Sequence, residues 1–509
     1  MRVRAASSLV VSLVVAASLS GCGAPRSLRS TLAQGDAPPP PPALAVDVAA
    51  PADPAGDVHA DPGRNPWVDA AVDPRSTFAA DVDTASFTYS RRVIEGGQLP
   101  VPAAVRTEEF VNAFAYQFPA PAPGSPFAVV MDAAPSPFVP GRHLVRVGVA
   151  TPRRAASART PMRLVFLVDV SGSMSSPDKL GLAKQALRHL VRSLGPRDTV
   201  ALVTYAGSTG VVLPVTRGDE HRALEAAIDR LDAGGSTAMG SGLALAYQQA
   251  QLDLPPGTPS RVIVMSDGDA NVGPASLDEL MAVIDGGVRA GVTLSTIGFG
   301  MGNYRDDLME QLGDRGNGNN FYVDSAAAAE RLFTTDLVAM LEVAAKDVKL
   351  QVEFDPNQVA RYRLLGYENR AIADDDFRVD RVDAGEVGVG HQVTALYEVE
   401  LAAGAGAAPL GLVRIRHKAP AGDVATEQAF AMAAAPAATF AAASADLRFA
   451  AAVAMFADYL RGADATSLVE LAAVAEASAG TDPDRQAFVA LVKRAGSLGQ
   501  PAKAIAVAR

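Results

Sequence analysis

One cysteine and one tryptophan serve a chain of 509 residues. With Cys22 alone, no intrachain disulfide framework can form. The six histidines, His59, His143, His189, His221, His391 and His417, lie far apart and offer no zinc-type spacing. Basic residues are the minority: 45 Lys and Arg face 56 Asp and Glu, for a net charge of −11 and a sequence pI of about 5.1. No basic block occurs, so nucleic acid is not an expected partner. Gly-x-Ser-x-Gly is missing, and no Lys follows a Gly as a phosphate-binding loop requires. What is present suits folding: 49% of residues are hydrophobic, and the length suffices for several domains.

Residues 1–22 read as a secretion signal. Arg2 and Arg4 form its basic start, and Ser8–Leu19 is an apolar stretch too short for the usual spanning helix. Residues 23–75 are rich in Pro, Ala, Asp and Gly, with an unbroken Pro38–Pro42 run. That composition predicts an extended tether without a core, to which Trp67 adds at most local docking. Residues 76–160 fold again. A strand is expected over Ser76–Asp83, a helix over Thr84–Gly96 capped by Asp83 or Thr84, and a second helix over Val105–Phe118. Two strands follow, Phe127–Met131 and His143–Val149. The tetrad Asp81-Val-Asp83-Thr84 shares the start of the DxDx[TV] loop of haloacid-dehalogenase-type phosphatases. Ala85 stands at its fifth position, and no downstream Lys and acidic pair is evident, so capping is the preferred reading.

The chain is organised around Leu164–Ser175, LVFLVDVSGSMS. A branched apolar run ends abruptly in Asp169, as a strand buried on both faces of a parallel sheet would. Asp169, Ser171 and Ser173 then place one carboxylate and two hydroxyls on a tight loop, hard oxygen donors of the kind Mg²⁺, Mn²⁺ or Ca²⁺ prefers. Lys179–Leu194 follows with one apolar helical stripe. The region 161–345 continues in alternation. Strands are expected at Val200–Tyr205, Val262–Ser266, Thr293–Phe299 and Phe321–Val323. Helices are expected at Glu220–Leu231, Met239–Gln251, Leu277–Ala290, Arg305–Leu312 and Ser325–Ala345. Such alternation predicts an α/β, doubly wound sheet with its ligand site at the carboxyl edge.

Two later loops belong to the same edge: Gly234-Gly-Ser-Thr237, opening a helix, and Ser266-Asp267-Gly268, ending a buried strand. The glycine-rich Gly298–Tyr304 loop follows the next strand. It is expected to rim this face, with Asn303 and Tyr304 as candidate ligand contacts. Residues 346–432 turn β-rich and are expected to join the strands before residue 161 in one β-sandwich-like domain. Residues 433–509 read as a helical region with Ala-rich faces.

These loops resemble the metal-ion-dependent adhesion site (MIDAS) of von Willebrand factor type A (VWA) domains. The resemblance implies a Rossmann-like α/β VWA domain holding a divalent cation, Mg²⁺ foremost, on Asp169, Ser171, Ser173, Thr237 and Asp267. One coordination position would stay free for an Asp or Glu of a partner protein. It implies a binding module rather than an enzyme. The competing expectations are a metal-dependent hydrolase using the same ion and a structural envelope protein with a silent VWA fold. Leu19-Ser20-Gly21-Cys22 resembles a bacterial lipobox. This implies lipidation of Cys22, a membrane-anchored lipoprotein of the cell envelope and, with Gly23 following, outer-membrane sorting. More widely, segments from Ser76 to Val453 are similar to the bacterial VWA-containing lipoproteins of the YfbK type. Among them are Gly302-Asn-Tyr304, Gly366-Tyr-Glu-Asn-Arg370 and His391-Gln-Val-Thr-Ala-Leu-Tyr397.

Overall fold

A computed structural model describes residues 57, 59–122, 124–154, 160–236, 238–268, 276–334, 341–382, 384–432, 435–463 and 467–499. Cys22, the signal segment and the tether up to residue 56 lie outside the described residues, as does Thr237. The described residues include part of the expected tether. Asp57 is buried, and β1 (Val68–Asp69) pairs with a strand some 290 residues later. The tether reading therefore does not extend over 57–75. Trp67 explains why: three guanidinium groups, of Arg142, Arg361 and Arg363, stand 4.9, 4.9 and 5.6 Å from its ring.

β2 (Arg75–Ala79), α1 (Ala85–Glu95), α2 (Thr107–Asn112), β3 (Ala128–Pro135) and β4 (Arg142–Ala150) follow. The helix expected over Val105–Phe118 stops at Asn112. Beyond it, the backbone N–H groups of Tyr116 and Gln117 donate to the side chains of Gln392 and Asp446, which replaces helical partners with long-range ones.

The central domain comprises β5 (Arg163–Asp169), α3 (Leu182–Ser193), β6 (Thr199–Tyr205), β7 (Thr209–Arg217), α4 (His221–Asp229), α5 (Met239–Gln251) and β8 (Ser260–Ser266). It continues with α6 (Leu277–Arg289), β9 (Val292–Phe299), α7 (Asp306–Arg315), β10 (Asn320–Val323) and α8 (Ala326–Thr334). The sheet order is β10-β9-β8-β5-β6-β7, parallel except for β7. β5 and β8 are buried at every position. The two-residue period of a strand divides the central run between two cores. Leu164, Phe166 and Val168 pack with Leu187 and Leu190 of α3. Val165 and Leu167 pack on the other face with Leu243 and Ala246 of α5. Each such Leu or Phe contributes about 1.5–3 kcal/mol on burial. A doubly wound Rossmann-like VWA fold is the result, with Asp169 and Asp267 at the carboxyl ends of adjacent strands β5 and β8.

After this domain come β11 (Val343–Phe354), β12 (Val359–Leu365), β13 (Val387–Gly388), β14 (Gln392–Leu401), β15 (Gly411–Lys418) and β16 (Ala425–Ala431). Val343–Ala345, expected to close a long helix, are already strand because they pair with β13. Two antiparallel sheets form, β1-β12-β14-β4-β3 and β13-β11-β15-β16, with β2 also paired to β11. They share one core that includes Phe78, Val147, Val352, Tyr397 and Ile415. β4 and β14 pair over nine residue positions although the whole α/β domain lies between them in sequence. The domain thus enters through a sandwich whose strands come from both sides.

Helices α9 (Ala445–Leu460), α10 (Leu468–Ala479) and α11 (Pro483–Gly496) close the chain. α9 is buried nearly all round, as the apolar run Phe449–Ala457 demands. Phe449, Phe456 and Phe488 meet Phe110 and Phe114 edge-on or tilted. No helix among the described residues is long and apolar enough to cross a membrane.

Candidate metal centre

Asp169 ends β5, where the strand has run out of sheet partners beyond Tyr205. Its carboxylate is fully buried and held on both oxygens. Oδ1 accepts from the Ser171 N–H at 2.8 Å, and Oδ2 from the Ser266 hydroxyl at 2.9 Å. Ser266 in turn accepts from the Gly268 N–H at 2.9 Å, which ties the β8 loop to the β5 loop. Burial pushes the Asp169 carboxyl above its ordinary range, and nearby Asp267 adds to this, while the bonds from Ser171 and Ser266 oppose it. The Ser171 and Ser173 hydroxyls lie 2.9 Å apart, Ser171 buried and Ser173 half-buried toward solvent. The 234–236 loop is laced to the same place. Gly172 N–H donates to Gly235 O, and Gly234 N–H to Val170 O. Gly235 takes a φ of +86°, which its lack of a Cβ permits.

The structure therefore brings together Asp169, Ser171, Ser173 and Asp267, with the loop that leads to Thr237. Among the described residues, no three carboxylate, imidazole or thiol groups are grouped to hold a metal by themselves. The donor set is instead two buried carboxylates and two hydroxyls. All are hard oxygens and fit a Mg²⁺-class cation. A divalent cation held there would supply an electrophilic position for an anionic group from outside.

Two residues of this face had no role in the sequence reading. Ser266 orients Asp169. Lys179, read only as the start of an amphipathic helix, is 6% exposed, and its Nζ donates to Asp267 Oδ2 at 3.0 Å and to Asn303 Oδ1. Asn303 also donates to Asp267 at 3.2 Å. Of the two rim candidates, Asn303 thus belongs to the face. Tyr304 does not: it is fully buried, its ring 5.0 Å from that of Tyr322, and its N–H donates to Asp57 at 2.6 Å. An apolar ring beside a sheet edge found a core before it found a ligand.

The capping expectation for Asp83 and Thr84 also fails. Thr84 occupies the N-cap of α1 without a side-chain bond. Asp81 and Asp83 instead receive the Arg370 guanidinium at 2.9 and 3.3 Å, and Asp83 accepts the Asn320 N–H at 3.0 Å. Arg370 also pairs with Asp314 of α7 at 2.6 Å. Tyr367-Glu-Asn-Arg370 is thus a bracket between the sandwich, the N-terminal region and the α/β domain.

Comparison with known proteins agrees with this architecture. Residues 164–335 match the von Willebrand factor type A domain, and residues 54–146 match a profile described as von Willebrand factor. The chain is a VWA-domain protein. Residues 339–498 match "Uncharacterized protein YfbK, C-terminal". The YfbK protein of Escherichia coli K12 is 37% identical over 462 residues, covering 85% of this chain and 80% of that protein. The chain belongs to the YfbK family. A UPF0353 protein of Mycolicibacterium vanbaalenii is 29% identical over 34% of this chain and 58% of its own length. Among solved structures, a von Willebrand factor type A protein from Catenulispora acidiphila is similar over 63% of this chain and 74% of its own, with a TM-score of 0.40 and 19% identity.

Proposed function

We propose that this protein is a membrane-tethered, non-enzymatic binding module whose metal face captures an acidic side chain of a partner protein. Asp169, Ser171, Ser173, Thr237 and Asp267 hold a divalent cation, Mg²⁺ foremost, and the partner's Asp or Glu completes its coordination. Lipid on Cys22 anchors the chain in the bacterial cell envelope, at the outer membrane. The observation that carries the reading is the convergence of Asp169, Ser171, Ser173 and Asp267 at the carboxyl ends of β5 and β8.

Thermal unfolding of the full chain, in EDTA and in millimolar Mg²⁺ or Mn²⁺, tests it beside Asp169→Ala. A ligand at about 100 times its Kd adds roughly 2.7 kcal/mol to the native state. The wild-type melting temperature rises with metal, and that of the variant does not. No shift of the wild-type melting temperature in any metal, with partner capture insensitive to EDTA, would make the fold a silent one.

A further inference from the structure

The Lys179 ammonium is placed where a cation is expected to act. It lies beside Asp267 at 3.0 Å, closes a triangle with Asn303 and Asp267, and is nearly sealed from solvent. A buried ammonium needs a paired charge, and here the pair is a carboxylate of the metal face itself. The surroundings are shaped for this side chain. Gly300 has a φ of +75°, and a Cβ there would stand 2.8 Å from Lys179 Cδ, closer than any real contact. The Gly298–Tyr304 loop therefore has a groove, lined by absent atoms, in which the lysine stem lies. Lys179 itself sits on a wide π-type turn, Pro177–Gly181, an irregularity ahead of α3 of the kind that recurs at functional sites. The neighbouring Asp178 is paired with Arg92 of α1, and Gly300 O accepts from the Tyr322 hydroxyl, so both walls of the groove are fixed.

Resting on the function proposed above, we propose that Lys179 is a built-in counter-ion that a divalent cation replaces. Without the ion, its ammonium neutralises Asp267. Uptake of the ion puts like charges at one carboxylate, drives the lysine out of the Gly300 groove, and frees the Asn303 side chain from its bond to Lys179. The exchange lowers the affinity for the ion, so that the site fills fully only when a partner's carboxylate adds its own attraction. Metal and partner then bind together rather than in sequence.

Titration calorimetry of Mn²⁺ into the full chain tests this with Lys179→Met, which keeps the stem and removes the charge. Lys179→Met removes the cation that competes with the ion for Asp267 at 3.0 Å, so it is expected to bind Mn²⁺ about tenfold tighter than wild type. Asp169→Ala, added to either chain, abolishes binding. An equal or weaker affinity in Lys179→Met, with wild-type binding still lost in Asp169→Ala, overturns the counter-ion and leaves the metal site standing. Binding unaffected by Asp169→Ala, or no binding by either wild type or Lys179→Met, overturns both. Reductive methylation of wild type gives a second readout independent of the variant's folding. At a Mn²⁺ concentration that calorimetry shows to saturate wild type, Lys179 is modified faster than in EDTA, with Lys184 as the internal reference; equal protection in both overturns the exchange.

Discussion

Arg106 donates to Asp306 at 2.6 Å across 200 residues of chain, with both side chains at most 3% exposed. The same guanidinium reaches Glu310 at 2.5 Å and Glu109 at 3.3 Å. Asp306 begins α7, just after the loop that carries Asn303, and Glu310 lies one turn further along it. Arg106 thus rivets the N-terminal region to the α/β domain close to the sheet edge that carries Asp267. Burial opposes the charge of Arg106, but Asp306, Glu310 and Glu109 together outweigh it and hold the guanidinium ionised.

Arg106→Met should therefore be costly. It leaves three carboxylates buried without their shared cation, a situation that costs about 3–5 kcal/mol when one partner of a buried pair is removed. Urea unfolding at pH 8 checks the size, and lowering the pH should recover part of the loss as Glu310 takes up a proton. Arg106→Lys recovers only a fraction, because a single ammonium cannot serve Asp306 and Glu310 with separate nitrogens.

Glu108 gives the fold a pH dependence of its own. Burial, with Glu368 as a neighbouring charge, raises its carboxyl from 4.5 to about 7. Its folded value lies above its unfolded one, so the native state binds more protons between those limits. Stability then falls as pH rises from about 4.5 to about 7 and levels off above. Glu108→Gln removes this slope. The variant should match wild type near pH 4.5 and exceed it by roughly 2–4 kcal/mol at pH 8. A difference independent of pH would show that Glu108 is ionised throughout.

The strands of the α/β domain and the gathering of Asp169, Ser171, Ser173 and Asp267 at one sheet edge were legible because each rests on a local pattern. Leu164–Val168 is apolar without interruption and is buried on both sides, and the acids that end β5 and β8 fall at one sheet edge by the logic of the fold. Pairings across distant sequence were not legible. Asp83 looks like a cap until Arg370, 287 residues beyond it, arrives between it and Asp81. Lys179 looks like the solvated start of a helix; its only sequence signal is Gly300, whose missing side chain leaves room for it. Tyr304 was misassigned because a glycine-rich loop suggests exposure, whereas Gly298 and Gly300 are there for close packing.

Gly298→Ala tests that last point. A Cβ at this position would stand 2.7 Å from Cζ of Tyr304, which is buried on every side and packs against Tyr89 and Tyr322. The tyrosine cannot yield without moving its backbone, whose N–H is bonded to Asp57. Overpacking of this kind costs about 1–3 kcal/mol. The double variant Gly298→Ala with Tyr304→Leu should cost less than the sum of the two single changes, because the shorter side chain removes the clash. Strict additivity in denaturant titrations would place the strain elsewhere.

Trp67 decides whether the segment before β2 is fold or tether, and it needs no substitution. As the single tryptophan of the chain, it reports its surroundings alone by fluorescence. Half-buried beneath Arg142, Arg361 and Arg363, it joins the strand faces of β4 and β12 to a segment whose composition lacks a core of its own. Each cation held over the ring contributes roughly 0.5–1 kcal/mol at a partly exposed site, enough to couple the segment to the sandwich. The emission should shift to the red on unfolding in urea, with the midpoint shown by far-ultraviolet circular dichroism. A transition well below that midpoint would mean that the segment peels away first. An emission maximum already at that of free tryptophan in buffer would return residues 57–75 to the tether.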